Sequence, residues 1–285
     1  MSRWPESVTS RDGVELRLRQ WPLATARGVV LVVHGLGEHS GRYAWLASQL
    51  NACGWQVVGY DQRGHGGSTG PRGGVAAADD LLSDLALVVD ATRAAHPGQS
   101  LIVLGHSMGG LVAARFVAES IAAAGQRAAW QRDVEALVLS SPALDPGMNL
   151  LQRTLVAVLA PLTPALALSN GLDPAWVSRD AAVVAAYKSD PLVHDRITPR
   201  LARFVVDGAR VVRDRAARWQ ISTLLLWAGA DRCVAPAGSA AFATAAPPRV
   251  VQSQCFDGLA HEIFNEPERD QVFGVLAAWL RTRGA

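Results

Sequence analysis

Ser107 is the residue whose surroundings best fit a catalytic nucleophile. It lies at the centre of the segment GHSMG at 105–109, which matches the pattern G-x-S-x-G. The pattern directly follows an apolar run, LIVL at 101–104, and directly precedes a segment with helical spacing. A sharp strand-to-helix turn needs small flanking residues and holds the serine hydroxyl out above the sheet. These features predict covalent catalysis by Ser107; the alternative is an ordinary Ser-Gly turn that caps a helix.

A histidine must take the serine proton, because a neutral hydroxyl is a weak nucleophile. Of the seven histidines, only His194 and His261 come well after Ser107, as the chain order of such a site requires. His261 follows the β-rich run 249–256 through a short loop, where catalytic groups gather at the carboxyl edge of a parallel sheet. We predict His261 as the general base, with activity rising near the usual histidine pKa of about 6.5. A surface-loop histidine is the alternative.

An acidic residue should hold the histidine in the correct tautomer and stabilise its protonated form. Asp231 comes just after the apolar run 221–228 and precedes His261 in the chain, so it can reach the histidine from a separate strand. Asp257 is the competing acid, but it is too close to His261 in sequence to come from another strand. We predict Asp231 as the third member of the triad.

Two backbone N–H groups are expected to form an oxyanion hole. One is that of Met108, the residue after the nucleophile, at the start of the predicted helix. The other is that of Leu36, because the segment HGLG at 34–37 follows a buried strand and its glycines let the backbone turn close to substrate. A plain glycine-rich turn is the alternative for this loop.

Short apolar runs alternate with helical patterns along most of the chain. The predicted strands are 28–33, 55–60, 101–104, 134–140, 221–228 and 249–256, and the predicted helices are 43–53, 78–95, 108–124 and 267–282. Strands that are apolar throughout and alternate with helices form parallel sheets covered on both faces. The pattern predicts an α/β fold with a mostly parallel central sheet flanked by helices.

The alternation stops in the middle of the chain. We expect an α/β core formed by residues 1–141 and 219–285, with an insertion at 142–218 in which no clear strand is found; a second independent domain is the alternative. Residues 150–168 of the insertion are apolar with few charges. Such a run is typical of a lid that faces lipid, and the alternative is that it packs on the core.

Composition excludes several other classes of protein. The chain is 49% hydrophobic, and its net charge of +2 gives no sign of a nucleic-acid partner. Three irregularly spaced cysteines favour a reducing compartment and form no metal-binding pattern, so we predict a cytoplasmic protein without metal or cofactor. The N-terminus lacks the apolar run of a signal peptide, and the longest apolar stretch is shorter than the ~20 residues of a membrane span.

Several motifs together make the sequence recognisable. They are HGLGEHSGRY at 34–43, GYDQRGHGGS at 59–68, GHSMGG at 105–110, SNGLDPAWVSRD at 169–180, DPLVH at 190–194, GADRCV at 229–234 and LAHEIFNE at 259–266. The chain resembles the α/β-hydrolase superfamily, within it the monoacylglycerol lipase and lysophospholipase group of serine aminopeptidase-like hydrolases. The resemblance implies the α/β-hydrolase fold, a triad of Ser107, Asp231 and His261, the oxyanion donors Leu36 and Met108, and a helical cap. Position 36 is often smaller in the family, so Leu36 is expected to narrow the acyl entrance.

These observations lead to one functional hypothesis and several alternatives. We expect a serine hydrolase of carboxylic esters that acts on monoacylglycerols or lysophospholipid-type single-chain lipids. Its expected partner is a small-molecule ester or lipid, and the cap is expected to contact a membrane or micelle. The alternatives are a general carboxylesterase, thioesterase or perhydrolase, and a non-catalytic binding protein. An aminopeptidase is disfavoured because the sequence has no obvious acidic cluster for a substrate amine. Asp61, Arg63 and His65 are expected to form a polar network at the site floor.

Overall fold

Eight strands form the central sheet of the computed structural model, which describes residues 4–119 and 128–283. In chain order the strands are β1 (Ser7–Thr9), β2 (Glu15–Trp21), β3 (Val29–Val33), β4 (Gln56–Tyr60), β5 (Leu101–His106), β6 (Ala136–Ser140), β7 (Leu168–Ser169), β8 (Arg196–Ile197), β9 (Ser222–Ala228) and β10 (Val251–Phe256). The sheet has the order β1-β2-β4-β3-β5-β6-β9-β10, and β7 pairs with β8 outside it. The pairs β1–β2 and β2–β4 are antiparallel and all other pairs of the sheet are parallel. The predicted fold class is confirmed.

The register places the carboxyl ends of the central strands at one edge of the sheet. Val33, the last residue of β3, lies opposite both Tyr60 of β4 and Gly105 of β5. His106 lies opposite Ser140, the last residue of β6. The loops that follow these strands therefore start side by side, and this is where ligands bind in open α/β sheets.

Helices cover both faces of the sheet. They are α1 (Ala44–Ala52), α2 (Asp80–Ala95), α3 (Met108–Ala118), α4 (Leu150–Leu162), α5 (Ala181–Ser189), α6 (Pro199–Arg215), α7 (Pro236–Ala245) and α8 (Arg269–Arg281). Alternate residues of β3 point to opposite faces: Leu31 packs in one core with α2, α3 and α6, and Val32 packs in another with α1 and α8.

The predicted elements differ from the observed ones mainly at the edges. The first two strands were not predicted, although β2 alternates charged and apolar residues and buries Leu16 and Leu18, which is the pattern of a half-buried strand. The short, alanine-rich α7 has no clear amphipathic pattern and was missed as well. The helix predicted at 108–124 begins at Met108, and its last residues, 120–124, lie outside the described part of the chain. The insertion holds the short β7–β8 pair, where no strand was expected.

The insertion contains two kinds of helix. Neither α4 nor α5 has a buried residue, whereas α6 buries one face against α3 through residues such as Phe204 and Val205. The division of the chain at 142 and 218 remains a prediction. Among the described residues, no helix combines the length and the apolarity that crossing a membrane requires.

Candidate active site

The turn between β5 and α3 forces Ser107 into a conformation that non-glycine residues seldom adopt. Its φ is +53° and its ψ is −121°, and the Ser107 N–H donates to the carbonyl of Ser140 at 3.0 Å. A Cβ at Gly105 would lie 2.4 Å from the Gly109 carbonyl oxygen, and a Cβ at Gly109 would lie 2.1 Å from the Val33 oxygen. Both positions must therefore be glycine for the turn to close, which is the strained geometry that G-x-S-x-G indicates.

His261 and Asp231 form a buried pair beside this turn. His261 Nδ1 lies 2.6 Å from Asp231 Oδ2, so an Nδ1–H group donates to the carboxylate and Nε2 keeps its lone pair for a proton. The other carboxylate oxygen accepts the backbone N–H groups of Cys233 and Val234, at 2.8 and 3.0 Å. The competing acid, Asp257, instead interacts with the thiol of Cys255.

The charge of Asp231 changes the proton affinity of His261. Burial alone would lower the pKa of His261, but the Asp231 carboxylate, its hydrogen bond and the nearby Glu262 and Glu38 together raise this pKa above 6.5. The sequence suggested a value near 6.5, because an isolated sequence position shows neither the burial nor the partner.

Ser107 and His261 line the same cavity, but no hydrogen bond joins their side chains in the described part of the chain. Within the described residues, the Ser107 hydroxyl has no hydrogen-bond partner that meets normal geometry. Catalytic hydrogen bonds are often long or poorly aligned before substrate binds and tighten in the complex. The arrangement is therefore compatible with proton transfer from Ser107 to His261 Nε2 once a substrate is in place.

The two expected oxyanion donors lie close to Ser107. Leu36 and Met108 both line a second cavity together with Ser107, and the loop that carries Leu36 passes so close that a Cβ at Gly35 would lie 3.1 Å from Ser107 Cβ. Neither the Leu36 nor the Met108 backbone N–H donates to another group in the described part of the chain. Both groups can therefore serve an oxygen that develops negative charge.

Two cavities that differ in polarity meet at Ser107. The first, about 330 Å³, is lined largely by polar side chains. The second, about 440 Å³, has mainly apolar walls that include Met148, Trp176 and Val205. Neither Leu155 nor Leu159 lines either cavity, so these two leucines of α4 form no part of the cavity walls at Ser107.

Five carboxylates line the polar cavity against one ammonium group. The acids are Glu38, Asp173, Asp190, Asp195 and Glu262, and the base is Lys188. The expectation that no acidic cluster exists was therefore wrong, because these residues come from separate loops that only folding brings together. The ligand atoms of Asp231, Cys233 and His261 lie within 4.8 Å of one another. Burial raises the pKa of the Cys233 thiol, which makes it a poor metal ligand and a weak nucleophile at neutral pH.

Asp61, Arg63 and His65 support loops and line neither of the two cavities at Ser107. Asp61 accepts hydrogen bonds from the backbone and hydroxyl of Ser40, and Arg63 pairs with Asp84 away from Ser107. His65 stacks between other histidine rings. His194, the rejected candidate base, donates from Nε2 to the carbonyl of Gly64 at 3.0 Å and lines the polar cavity.

Three charged residues of the site were missed by sequence reasoning. Glu38, Arg42 and Glu262 form a buried ion network beside His261. The spacing of Glu38 and Arg42, four residues apart just before α1, was the one available signal. Nothing in the sequence pairs Arg42 with a residue 220 positions further along the chain.

The sheet order, the strained serine turn and the buried His–Asp pair define an α/β-hydrolase. More narrowly, the chain belongs to the family described as serine aminopeptidase, S33, whose model matches residues 24–268.

Named relatives are lipases. A monoacylglycerol lipase of Mycolicibacterium smegmatis is 34% identical over 283 residues, which cover 98% of this chain and 97% of that protein. A phospholipase of Bacillus subtilis is 28% identical, and the match covers 91% of this chain and 97% of the phospholipase. The crystal structure of a Paleococcus ferrophilus monoacylglycerol lipase matches with a TM-score of 0.82 and 34% identity, covering 93% of this chain and 98% of the other.

The raised pKa of His261 leads to an expected pH profile. Catalysis needs unprotonated Nε2, so kcat/KM for a p-nitrophenyl ester should rise with pH through a midpoint above 6.5. Asp231→Asn should lower turnover by on the order of 10⁴ and move the midpoint to lower pH, because burial then acts without the opposing charge. Rate profiles of wild type, Asp231→Asn and Asp257→Asn measure this. A harmless Asp231→Asn, or a wild-type midpoint at or below 6.5, would contradict the assignment.

Proposed function

We propose that this protein hydrolyses carboxylic esters of single-chain lipids, with monoacylglycerols as the favoured substrates. The observation that carries the proposal is the position of Ser107 at the junction of a polar and an apolar cavity, beside the buried His261–Asp231 pair. An ester bond placed at this junction would have its acyl chain on one side and its alcohol on the other. The lipase relatives support the same substrate class.

The proposed mechanism is acyl transfer through Ser107. His261 Nε2 takes the proton as Ser107 Oγ attacks the ester carbonyl, and the Leu36 and Met108 N–H groups stabilise the resulting oxyanion. The protonated His261 then gives its proton to the leaving alcohol. A water molecule, activated in the same way, releases the fatty acid from Ser107 and restores the enzyme.

The acidic lining of the polar cavity favours an uncharged alcohol. Carboxylates accept hydrogen bonds from glycerol hydroxyls, whereas a phosphate in the same place would face like charges. Arg42 pairs with Glu38 and Glu262, and Arg196 pairs with Asp195, yet acidic groups remain in excess in the lining. We therefore place monoacylglycerols ahead of lysophospholipids. A substrate amine would also be attracted, and this observation favours an aminopeptidase as the second candidate.

The outer face of α4 is proposed to contact membranes or micelles. Leu150 and Leu151 are 81% and 77% exposed, and Leu155 and Leu162 are exposed as well. Exposed apolar residues concentrated in one helix mark an interaction surface. The apolar run therefore remains on the surface instead of packing on the core. We retain residues 142–218 as a cap.

We also retain the cytoplasm as the proposed location. Cys53, Cys233 and Cys255 form no disulfide bonds, as expected in a reducing compartment.

The enzymatic proposal is tested by removing the nucleophile. Ser107→Ala should lower turnover of p-nitrophenyl butyrate by on the order of 10⁶ and abolish labelling by a fluorophosphonate probe, without changing the melting temperature by more than a few degrees. Wild type and variant are compared on the ester, on monodecanoylglycerol and on alanine p-nitroanilide. Hydrolysis of the anilide alone would favour the aminopeptidase, and unchanged activity of folded Ser107→Ala would overturn the mechanism.

The headgroup preference is tested with matched lipids. At low salt, monomeric monodecanoylglycerol should be hydrolysed with a kcat/KM at least about tenfold above that of decanoyl lysophosphatidylglycerol, a difference of about 1.4 kcal/mol. Added salt should reduce the ratio of the two kcat/KM values, because it screens the repulsion between the phosphate and the cavity carboxylates. The double variant Asp173→Asn with Asp195→Asn should reduce the ratio as well. Equal rates for the two lipids at low salt would contradict the electrostatic argument.

The surface role of α4 is tested on vesicles. Replacing Leu150, Leu151 and Leu155 together by serine should weaken cosedimentation with phosphatidylcholine vesicles by at least about tenfold, since each buried leucine contributes on the order of 1–2 kcal/mol. Hydrolysis of vesicle-embedded monoacylglycerol should fall with it. Turnover of p-nitrophenyl acetate serves as the control and should not change. Equal losses on acetate and on vesicles would instead indicate a structural role for this face.

A further inference from the structure

We propose that Arg42 is a positioning residue of this reaction, which holds the oxyanion loop (residues 34–38), the histidine loop (residues 257–262) and the cap in one arrangement. The inference rests on the proposed function, because it concerns how the ester-cleaving groups keep their relative positions. Arg42 lies in the short 3-10 helix Ser40–Tyr43 that leads into α1, and its side chain contacts all three segments.

The first contact fixes the oxyanion loop. Arg42 donates to Glu38 Oε2 at 2.8 Å. The other oxygen of Glu38 accepts the Gly35 backbone N–H at 2.6 Å and the Tyr43 hydroxyl at 2.7 Å. Gly35 directly precedes Leu36, whose N–H is the proposed oxyanion donor. The orientation of that donor is thus linked to the guanidinium through a single carboxylate.

The second contact fixes the histidine loop. Arg42 makes a two-pronged pair with Glu262, at 2.5 and 2.8 Å, and Glu262 directly follows His261. The Glu262 carboxylate also accepts a hydrogen bond from Asn265 at 2.8 Å. Glu38, Arg42 and Glu262 therefore connect the loop of the oxyanion donor to the loop of the general base.

The third contact reaches the cap. Tyr187 of α5 lies over the guanidinium, with 4.7 Å between the Arg42 Cζ and the ring centre. Arginine stacks on aromatic rings while its edge donates to carboxylates. One side chain can therefore hold a cap helix and two core loops at once.

Burial makes this network stiff. The side chains of Arg42, Glu38 and Glu262 are only 11%, 5% and 6% exposed. Burial alone would raise the pKa of Glu38, but Arg42, His106, His34 and the hydrogen bond from Gly35 together outweigh burial and keep that pKa low. Lysine would keep the charge but not the planar fork that serves both carboxylates. Loss of Arg42 should thus disturb the transition state more than the binding of substrate.

The experiment compares Arg42→Met, Arg42→Lys and Glu262→Gln with wild type on p-nitrophenyl acetate and monodecanoylglycerol. Arg42→Met should lower kcat on both esters by on the order of 10- to 100-fold with little change in KM, and should slow phosphonylation by a fluorophosphonate in parallel. Arg42→Lys should restore part of the loss. The matched control is Arg93→Met, which breaks an exposed pair with Glu135 and should leave all three rates unchanged.

The outcomes separate the possible roles of Arg42. A raised KM for monodecanoylglycerol, with unchanged kcat and unchanged acetate turnover, would make Arg42 an alcohol-binding residue and overturn the proposal, as would wild-type rates throughout. If Arg42→Met does not fold, Arg42→Lys and Glu262→Gln carry the test, and each should lower kcat on both esters severalfold. A wild type that is phosphonylated but cleaves neither ester would refute the proposed function alone, and the phosphonylation rates would still decide the role of Arg42.

Discussion

The close approach of the start of α3 to the end of β3 is the contact on which the site depends. A Cβ at Gly109 would collide with the carbonyl oxygens of both Val33 and His34, at 2.1 and 2.3 Å. Because this space is closed, the chain must turn sharply after β5, and Ser107 takes up a positive φ at the apex. The same contact brings the N-terminus of α3 beside the loop that carries Leu36. The positions of the proposed nucleophile and of the proposed oxyanion donors thus follow from one steric constraint.

Buried charge organises what surrounds this turn. Asp231 fixes the tautomer of His261 and raises its pKa. Arg42 joins the loops on either side through Glu38 and Glu262. Buried ion pairs give little net stability because desolvation offsets their attraction, but a misplaced partner is costly. Such pairs therefore suit a site whose loops must keep fixed distances. This explains why buried ion pairs, and not apolar side chains, connect these loops.

The cap combines attachment at its base with exposure at its outer face. His39 pairs with Asp190 at 2.9 Å, and the N–H of His194 donates to the Gly37 carbonyl, so the cap is tied to the loop beside Ser107. By contrast, α4 has no buried residue and carries the exposed leucines. The residues of this segment that line the polar cavity are therefore held to the core, whereas the leucines of α4 remain on the surface.

The sequence by itself determined the elements whose patterns are local. Six strands of the sheet, the G-x-S-x-G turn and the order of Ser107, Asp231 and His261 could be predicted, because apolar runs, steric room and chain order can be read directly from the sequence. Tertiary structure alone decided the acidic lining of the polar cavity and the pairing of Arg42 with Glu262. These depend on which distant loops meet at one sheet edge. Contacts across 220 positions of chain leave no periodic signal, and the charge that a carboxylate keeps in the interior depends on partners that only folding supplies.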